Sequence, residues 1–215
     1  IVAHPELELV GCWVHSTDKA GRDVGEICGL DPLGVTATCD VDALVEMAAD
    51  CVLYSPIMAD PALVARLLAA GKNVVTPLNW FYPGKRNVSS LERACEAGSS
   101  TLHGTGIHPG GITERFPLMI SALSSAITHV RAEEFSDIRT YNAPNVVSDI
   151  MLFGKTPQET AASPMVHFLG QGFQQSMDMV AAELGFAVDP KMLSTHEFAV
   201  ATAPIESPIG IIVPG

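Results

Sequence analysis

The sequence predicts an α/β protein built on a doubly wound parallel sheet, and three observations point there. Short β-rich runs alternate with helical stretches of about ten residues. Those runs end at short turns, His15-Ser16, Ser55-Pro56 and Pro77, and not in long loops. A further run, Ser100 to His103, breaks into a loop of four glycines and one proline, Gly104 to Gly111, that leads into an apolar helix.

Taken in order, Ile1 to Pro5 reads as the last turn of a helix broken by Pro5, and Leu7 to Val14 as a strand before the polar run Thr17–Asp23. Val35 to Thr38 is a shorter strand. Asp42 is expected to cap a helix reaching Ala49, and Cys51 to Tyr54 forms the next strand. Asp60-Pro61 opens a helix that stops at Gly71. Asn73 to Thr76 is a strand, and Ser89 or Ser90 caps a helix running to Ala97 and Gly98. Thr113 caps the helix Arg115–Leu123. Beyond it, Thr128 to Ala132 starts a second sheet, Asn145 to Phe153 is a short amphipathic helix, and Pro164 to Leu184 a long one ended by Gly185. Ser207 to Gly215 is an apolar strand without a partner. The domains expected are 1–125, dinucleotide-binding, and 126–215, substrate-binding and dimerising.

A dinucleotide-binding domain of the Rossmann type opens with a strand, a G-x-G-x-x-G turn and a helix. These residues contain no such motif. The expectation is that about 25 residues of a first β-α unit precede Ile1 and that the second domain continues past Gly215.

Composition narrows the function. A net charge of −12 argues against a nucleic-acid or anionic-membrane surface. Apolar residues make up 47%, ample for a core, but in runs too short to span a bilayer. Cys12, Cys28, Cys39, Cys51 and Cys95 are scattered singly, as in reduced thiols of a cytoplasmic protein, with Cys12 and Cys51 read as small core residues. No spacing of His, Cys and acids suits a metal, and neither G-x-S-x-G nor a P-loop is present.

Open parallel sheets bind ligands where strands end and helices begin. That rule selects Ser55, Pro56, Thr76, Pro77, Gly104, Thr105 and Gly106 as cofactor-binding positions, with hydride transfer in the cleft they would share. The end of the first strand carries more information. It usually holds an acid that accepts from the adenosine ribose. Here Ser16 stands in that place, followed by Lys19 and Arg22. A hydroxyl and two cations suit a 2′-phosphate, so NADP is favoured and NAD remains possible; the alternative is a solvated turn.

Val10-Gly-Cys-Trp-Val-His-Ser16, Lys19-Ala-Gly-Arg-Asp-Val-Gly25, Lys72-Asn-Val-Val-Thr-Pro77 and Gly104-Thr-Gly-Ile-His-Pro-Gly110 occur in this order, with Phe153-Gly-Lys-Thr-Pro157 and Gly172-Phe-Gln-Gln-Ser176 further on. In order and spacing they resemble the dihydrodipicolinate-reductase-like oxidoreductases, above all the branch of 2,4-diaminopentanoate dehydrogenase and the native amine dehydrogenases. The resemblance implies an N-terminal Rossmann domain, a second domain through which the protein forms a homodimer, and nicotinamide-dependent conversion between a carbonyl plus ammonia and an amine. The paired histidines of the lysine-pathway reductase are not found in the second half.

One departure bears on mechanism. The resemblance implies an acid just after the strand Asn73–Thr76, whereas this chain has Leu78 and Asn79. Asn79 can orient an amine or carbonyl but cannot exchange a proton. His108 in the glycine loop is of the residue type suited to proton transfer near neutrality, or else simply bonds backbone. Glu114, in the first turn of the next helix, is either a dipole partner or a second acid/base candidate. His103 is read as structural. One of Glu133 and Glu134 can face the substrate cavity. Met165, Phe168, Leu169, Phe173, Met177 and Val180 form an apolar stripe, read as core or as the wall of an adaptable site. Trp80, Phe81, Tyr82 and Tyr141 can wall the same cavity, and with only Arg131 and Arg139 at hand, a small uncharged ketone or amine fits better than a diacid. The competing reading is a cofactor-binding sensor that has lost turnover.

Overall fold

The computed structural model describes residues 1–84, 86–189 and 193–215. The chain divides into two compact units, Ile1–Thr105 and Gly106–Gly215. The division falls within the glycine loop, ahead of the boundary expected at residue 125.

The first unit alternates strands and helices: β1 (Cys12–Trp13), α1 (Val24–Ile27), β2 (Ala37–Thr38), α2 (Val41–Glu46), β3 (Cys51–Leu53), α3 (Pro61–Ala69), β4 (Asn73–Thr76), α4 (Ser89–Gly98) and β5 (Leu102–Gly104). All of its strand pairings are parallel: β1 with β2, and β3-β4-β5 in that order. Mixed α/β structure on parallel sheets is therefore as expected, though several boundaries move. The first strand keeps only Cys12 and Trp13, and Leu7 and Val10 are exposed. Helix α2 starts two residues earlier than Asp42 suggested, because the extended Asp40 takes the N–H groups of Asp42 and Ala43 at 2.9 and 3.2 Å. At α4 neither serine caps. The N-cap position is Val88, without a side-chain cap, and Asn87 just before it accepts from the Ser89 N–H at 3.2 Å. Asp60 caps α3 as read, accepting from Ala62 and Leu63.

Register explains what is buried. The row Val52–Val74–Leu102 lies on the side of the core, where Leu63, Val64, Leu67 and Leu68 of α3 meet Leu91 and Ala94 of α4. Each fully buried aliphatic side chain there stabilises by about 1.5–3 kcal/mol. The next row, Leu53–Val75–His103, points the other way, and Leu53 and His103 are exposed. Cys51 shares that outer face by the two-residue period of a strand, so it is exposed and not a core residue; Cys12 is half-buried. Helices α3 and α4 approach so closely that a Cβ on Gly98 would stand 1.9 Å from the Leu68 carbonyl oxygen. Lys72 is buried and donates to the Val45 carbonyl at 2.5 Å, while Arg66 of α3 pairs with the exposed Asp42.

The second unit holds α5 (Arg115–Ser121), a 3-10 turn Ile138–Thr140, a π turn Val146–Ile150, α6 (Pro157–Ala162), α7 (Met165–Leu184), β6 (Ile205–Ser207) and β7 (Gly210–Ile212). Thr128 to Ala132 has no regular structure, so the strand expected there is absent. The helix expected over Asn145–Phe153 contracts to the single π turn. Residues 207–215 are not an unpartnered strand: β6 and β7 pair antiparallel, Ile205 opposite Ile212. Helix α6 was not foreseen, although Thr156-Pro-Gln-Glu159 is a legible capping box with proline at the first turn. Helix α7 ends at Gly185, φ 75°, as read. Its buried face is Gln175, Ser176, Val180 and Ala181. Phe173 and Met177 of the expected stripe stay half-exposed, and the Leu169 side chain lies outside the described residues. Among the described residues, no helix is long and apolar enough to cross a membrane.

Candidate functional site

The parallel register of β3-β4-β5 brings the carboxyl ends of the three strands side by side. Two bonds extend the pairing past the strands, Tyr54 N–H to Val75 O and Thr105 N–H to Thr76 O, each 2.8 Å. Ser55-Pro56, Thr76-Pro77 and Gly104-Thr105 thus share one edge of the first unit, the place where such sheets hold ligands. Thr76 is fully buried, and its hydroxyl accepts from the Leu78 N–H at 3.1 Å. Asn79 then takes φ 61° while Trp80 N–H donates to Leu78 O at 2.7 Å, a three-residue turn that folds Trp80 back over β5. A Cβ on Gly104 would lie 1.8 Å from the Trp80 carbonyl oxygen. The chain's own backbone demands that glycine. Asn79 likewise has a local reason, since asparagine is among the few side chains that tolerate positive φ. It is half-buried, and its carbonyl accepts from Arg86 at 3.3 Å.

Beyond β1, the Ser16 hydroxyl donates to the Asp18 carboxylate. That bond, with smaller help from Lys19 and Arg22, holds the Asp18 carboxyl below the usual range. Ser16, Lys19 and Arg22 therefore converge on an anion already present, which sequence reading missed. The signal was an acid two residues after a serine in a turn.

The second unit builds a different cluster. Glu114, expected to sit as a first-turn dipole partner, is 1% exposed and precedes α5. Its carboxylate accepts from the Gly110 N–H at 2.7 Å and from the hydroxyl of Ser176 on α7. Thr113 does not cap the helix; its hydroxyl lies 3.4 Å from that of Ser176. The glycine loop, closed by Gly111 and Ile112 N–H bonds to Ile107 O, is thereby anchored to a helix far along the chain. His108 rides on this loop. Its ring packs on Phe173, centroids 4.9 Å apart, and its Nε2 lies 2.7 Å from Glu134 Oε2. That nitrogen is buried, with the Glu134 carboxylate beside it. Of the adjacent acids, both half-exposed, Glu133 pairs with Arg131 and Glu134 with His108. Arg139 is bound to Asp137, whose carboxyl the guanidinium holds down to about 2.

No protein-family model matches the chain. It is 30% identical over 200 residues to a protein named amine dehydrogenase from Streptomyces virginiae, covering 88% of this chain and 56% of that protein. The chain thus spans little more than half the length of that relative. The solved structure of an amine dehydrogenase from Mycobacterium smegmatis matches with a TM-score of 0.73 at 18% identity, over 96% of this chain and 64% of that one. The fold is therefore similar to that of an amine dehydrogenase, and the sequence likeness agrees with the amine dehydrogenase branch of the resemblance.

Proposed function

We propose that this chain belongs to a nicotinamide-dependent oxidoreductase that interconverts a small carbonyl compound plus ammonia with the corresponding amine. The observation that carries this reading is the alignment of 88% of the chain with a protein named amine dehydrogenase. The balance is one carbonyl, one ammonia, one reduced cofactor and one proton giving an amine, oxidised cofactor and water. When bound, the cofactor supplies the hydride.

The residues at the sheet edge fit such a group. Ser55, Thr76-Pro77 and Thr105 lie at the carboxyl ends of adjacent parallel strands, where open parallel sheets hold ligands. Ser16, Lys19 and Arg22, which already steady the Asp18 carboxylate, can hold a 2′-phosphate when Asp18 turns aside. NADP is the favoured cofactor on that ground. Asn79 orients the substrate and His108 moves the proton as the carbinolamine loses water. Arg131 and Arg139 are neutralised by their own neighbours, which favours an uncharged ketone or amine over a diacid. The protein acts as a homodimer through its second unit.

Oxidation of NADPH with a panel of small ketones, with and without ammonium, tests the reading. Turnover that needs ammonium is expected. Binding of cofactor with no turnover on any carbonyl would favour a sensor. The cofactor assignment has its own check: Arg22→Ala should weaken NADPH binding about tenfold or more and leave NADH unchanged, because a charge-assisted contact contributes roughly 1.5–3 kcal/mol. Equal losses for both cofactors would reverse it.

A further inference from the structure

Resting on the nicotinamide reading above, we infer that Asp18 sets how strongly the protein prefers NADP over NAD. Its carboxylate occupies the seat that Ser16, Lys19 and Arg22 offer a 2′-phosphate, so it competes with that group from inside the chain. The seat is built by backbone bonds. Val14 N–H donates to Thr38 O at 2.9 Å and Gly21 N–H to Ala37 O at 2.8 Å, while Arg22 O accepts from Ala37 N–H at 2.9 Å. Within the turn, Lys19 N–H donates to Ser16 O at 3.1 Å and Arg22 N–H to Lys19 O at 3.3 Å. Both ends of the turn are thereby tied to β2. It lies just past the carboxyl end of β1, where open parallel sheets take the ribose of a dinucleotide.

Charge decides what sits there. Arg66, Arg131 and Arg139 are each taken by an acid. Among the described residues, no hydrogen bond or ion pair takes up the Lys19 ammonium or the Arg22 guanidinium. The Ser16 hydroxyl donates to the Asp18 carboxylate and chiefly holds it in the charged form, with smaller help from the two cations. Those same three groups suit a phosphate, since each donates to oxygen and two carry positive charge. A 2′-phosphate therefore enters only by taking Ser16 from Asp18, and it meets a like charge as it does so. The free ribose hydroxyls of NAD meet no such opposition, because a hydroxyl can donate to a carboxylate. Asp18 thus holds back NADP and spares NAD. It is exposed and caps no helix, so a neutral replacement leaves the fold intact.

Isothermal titration with adenosine 2′,5′-bisphosphate and with 5′-AMP, comparing the native protein with Asp18→Asn, tests the assignment. The two ligands differ only in the 2′-phosphate. Asparagine keeps an oxygen for the Ser16 hydroxyl and removes the charge. Affinity for the bisphosphate is expected to rise about tenfold, as for one charge-assisted contact regained, and that for 5′-AMP not to rise. Glu26→Gln removes an equal charge from α1 and should leave both affinities unchanged. A bisphosphate affinity that stays level or falls in Asp18→Asn, or a rise shared by 5′-AMP or by Glu26→Gln, overturns the proposal. Native protein that binds NADPH, beside an Asp18→Asn variant that takes the bisphosphate no better, sinks the role of Asp18 alone. If neither protein binds these nucleotides, NADPH or NADH, the nicotinamide reading falls as well.

Discussion

Alanine at Gly104 should destabilise the first unit by about 3 kcal/mol or more, at the upper end of what overpacking costs. The added Cβ would lie 1.8 Å from the Trp80 carbonyl oxygen, 2.2 Å from its carbon and 2.8 Å from Phe81 N. All three are backbone atoms, so no rotamer change can make room. Relief requires moving β5, which is tied to β4 through Val75–His103 and through Thr105 N–H to Thr76 O. The other route is to undo the turn at Asn79 and lift the buried Trp80 out of the core. Set against a typical total of about 5–15 kcal/mol, either is a large fraction. Both tryptophans, Trp13 and Trp80, belong to the first unit, so their fluorescence in urea reports on it directly. Gly21→Ala is the control: its φ of 81° brings strain of about 1 kcal/mol, but nothing stands within 4 Å of the new Cβ. If Gly104→Ala cost no more than the control, the turn would be far softer than its packing implies.

Glu114→Ala should destabilise the second unit by about 2–4 kcal/mol, since the buried Gly110 N–H and the Ser176 hydroxyl each lose an acceptor at roughly 1–3 kcal/mol. Ser176 keeps a weak alternative in the Gly172 carbonyl at 3.5 Å, which places the expected loss below the simple sum. Glu114→Gln retains an acceptor and should cost less. Hydrogen exchange at the Gly110 amide separates the outcomes. The amide should be well protected in the native protein although it sits in a glycine loop, and should exchange rapidly in the alanine variant. Unchanged protection would mean that the loop is held by something other than Glu114.

How much of this could be read in advance depends on whether the deciding partner is near in sequence. Asp60-Pro61, Gly185 and the alternation of β-runs with helices act within a turn or two, and those readings stand. Asp40 in place of Asp42 shows that a cap is chosen by backbone conformation among several suitable residues, and α4 starts at Val88 with no side-chain cap at all. The site was harder. Ser55, Thr76 and Gly104 follow from where parallel strands end. Ser176 does not, because its place depends on a partner, Glu114, that lies far away along the chain, and the choice between Glu133 and Glu134 needed the position of His108. Gly104 has a further reason that the strand-end rule does not supply, since a Cβ there would meet the carbonyl of Trp80.

Helix α2 has six residues, none of them fully buried, and rests on the core only through the partly buried Val41, Leu44 and Val45. Its first turn is held by Arg66 pairing with Asp42, a contact in open solvent, and its last turn by the buried Lys72 ammonium on the Val45 carbonyl. Dissolved ions screen the two ends unequally, since exposed charges lose most of their attraction once the Debye length falls to about 3 Å near molar salt, while a buried contact is shielded little. In concentrated electrolyte α2 therefore frays from its amino end towards a fixed carboxyl end.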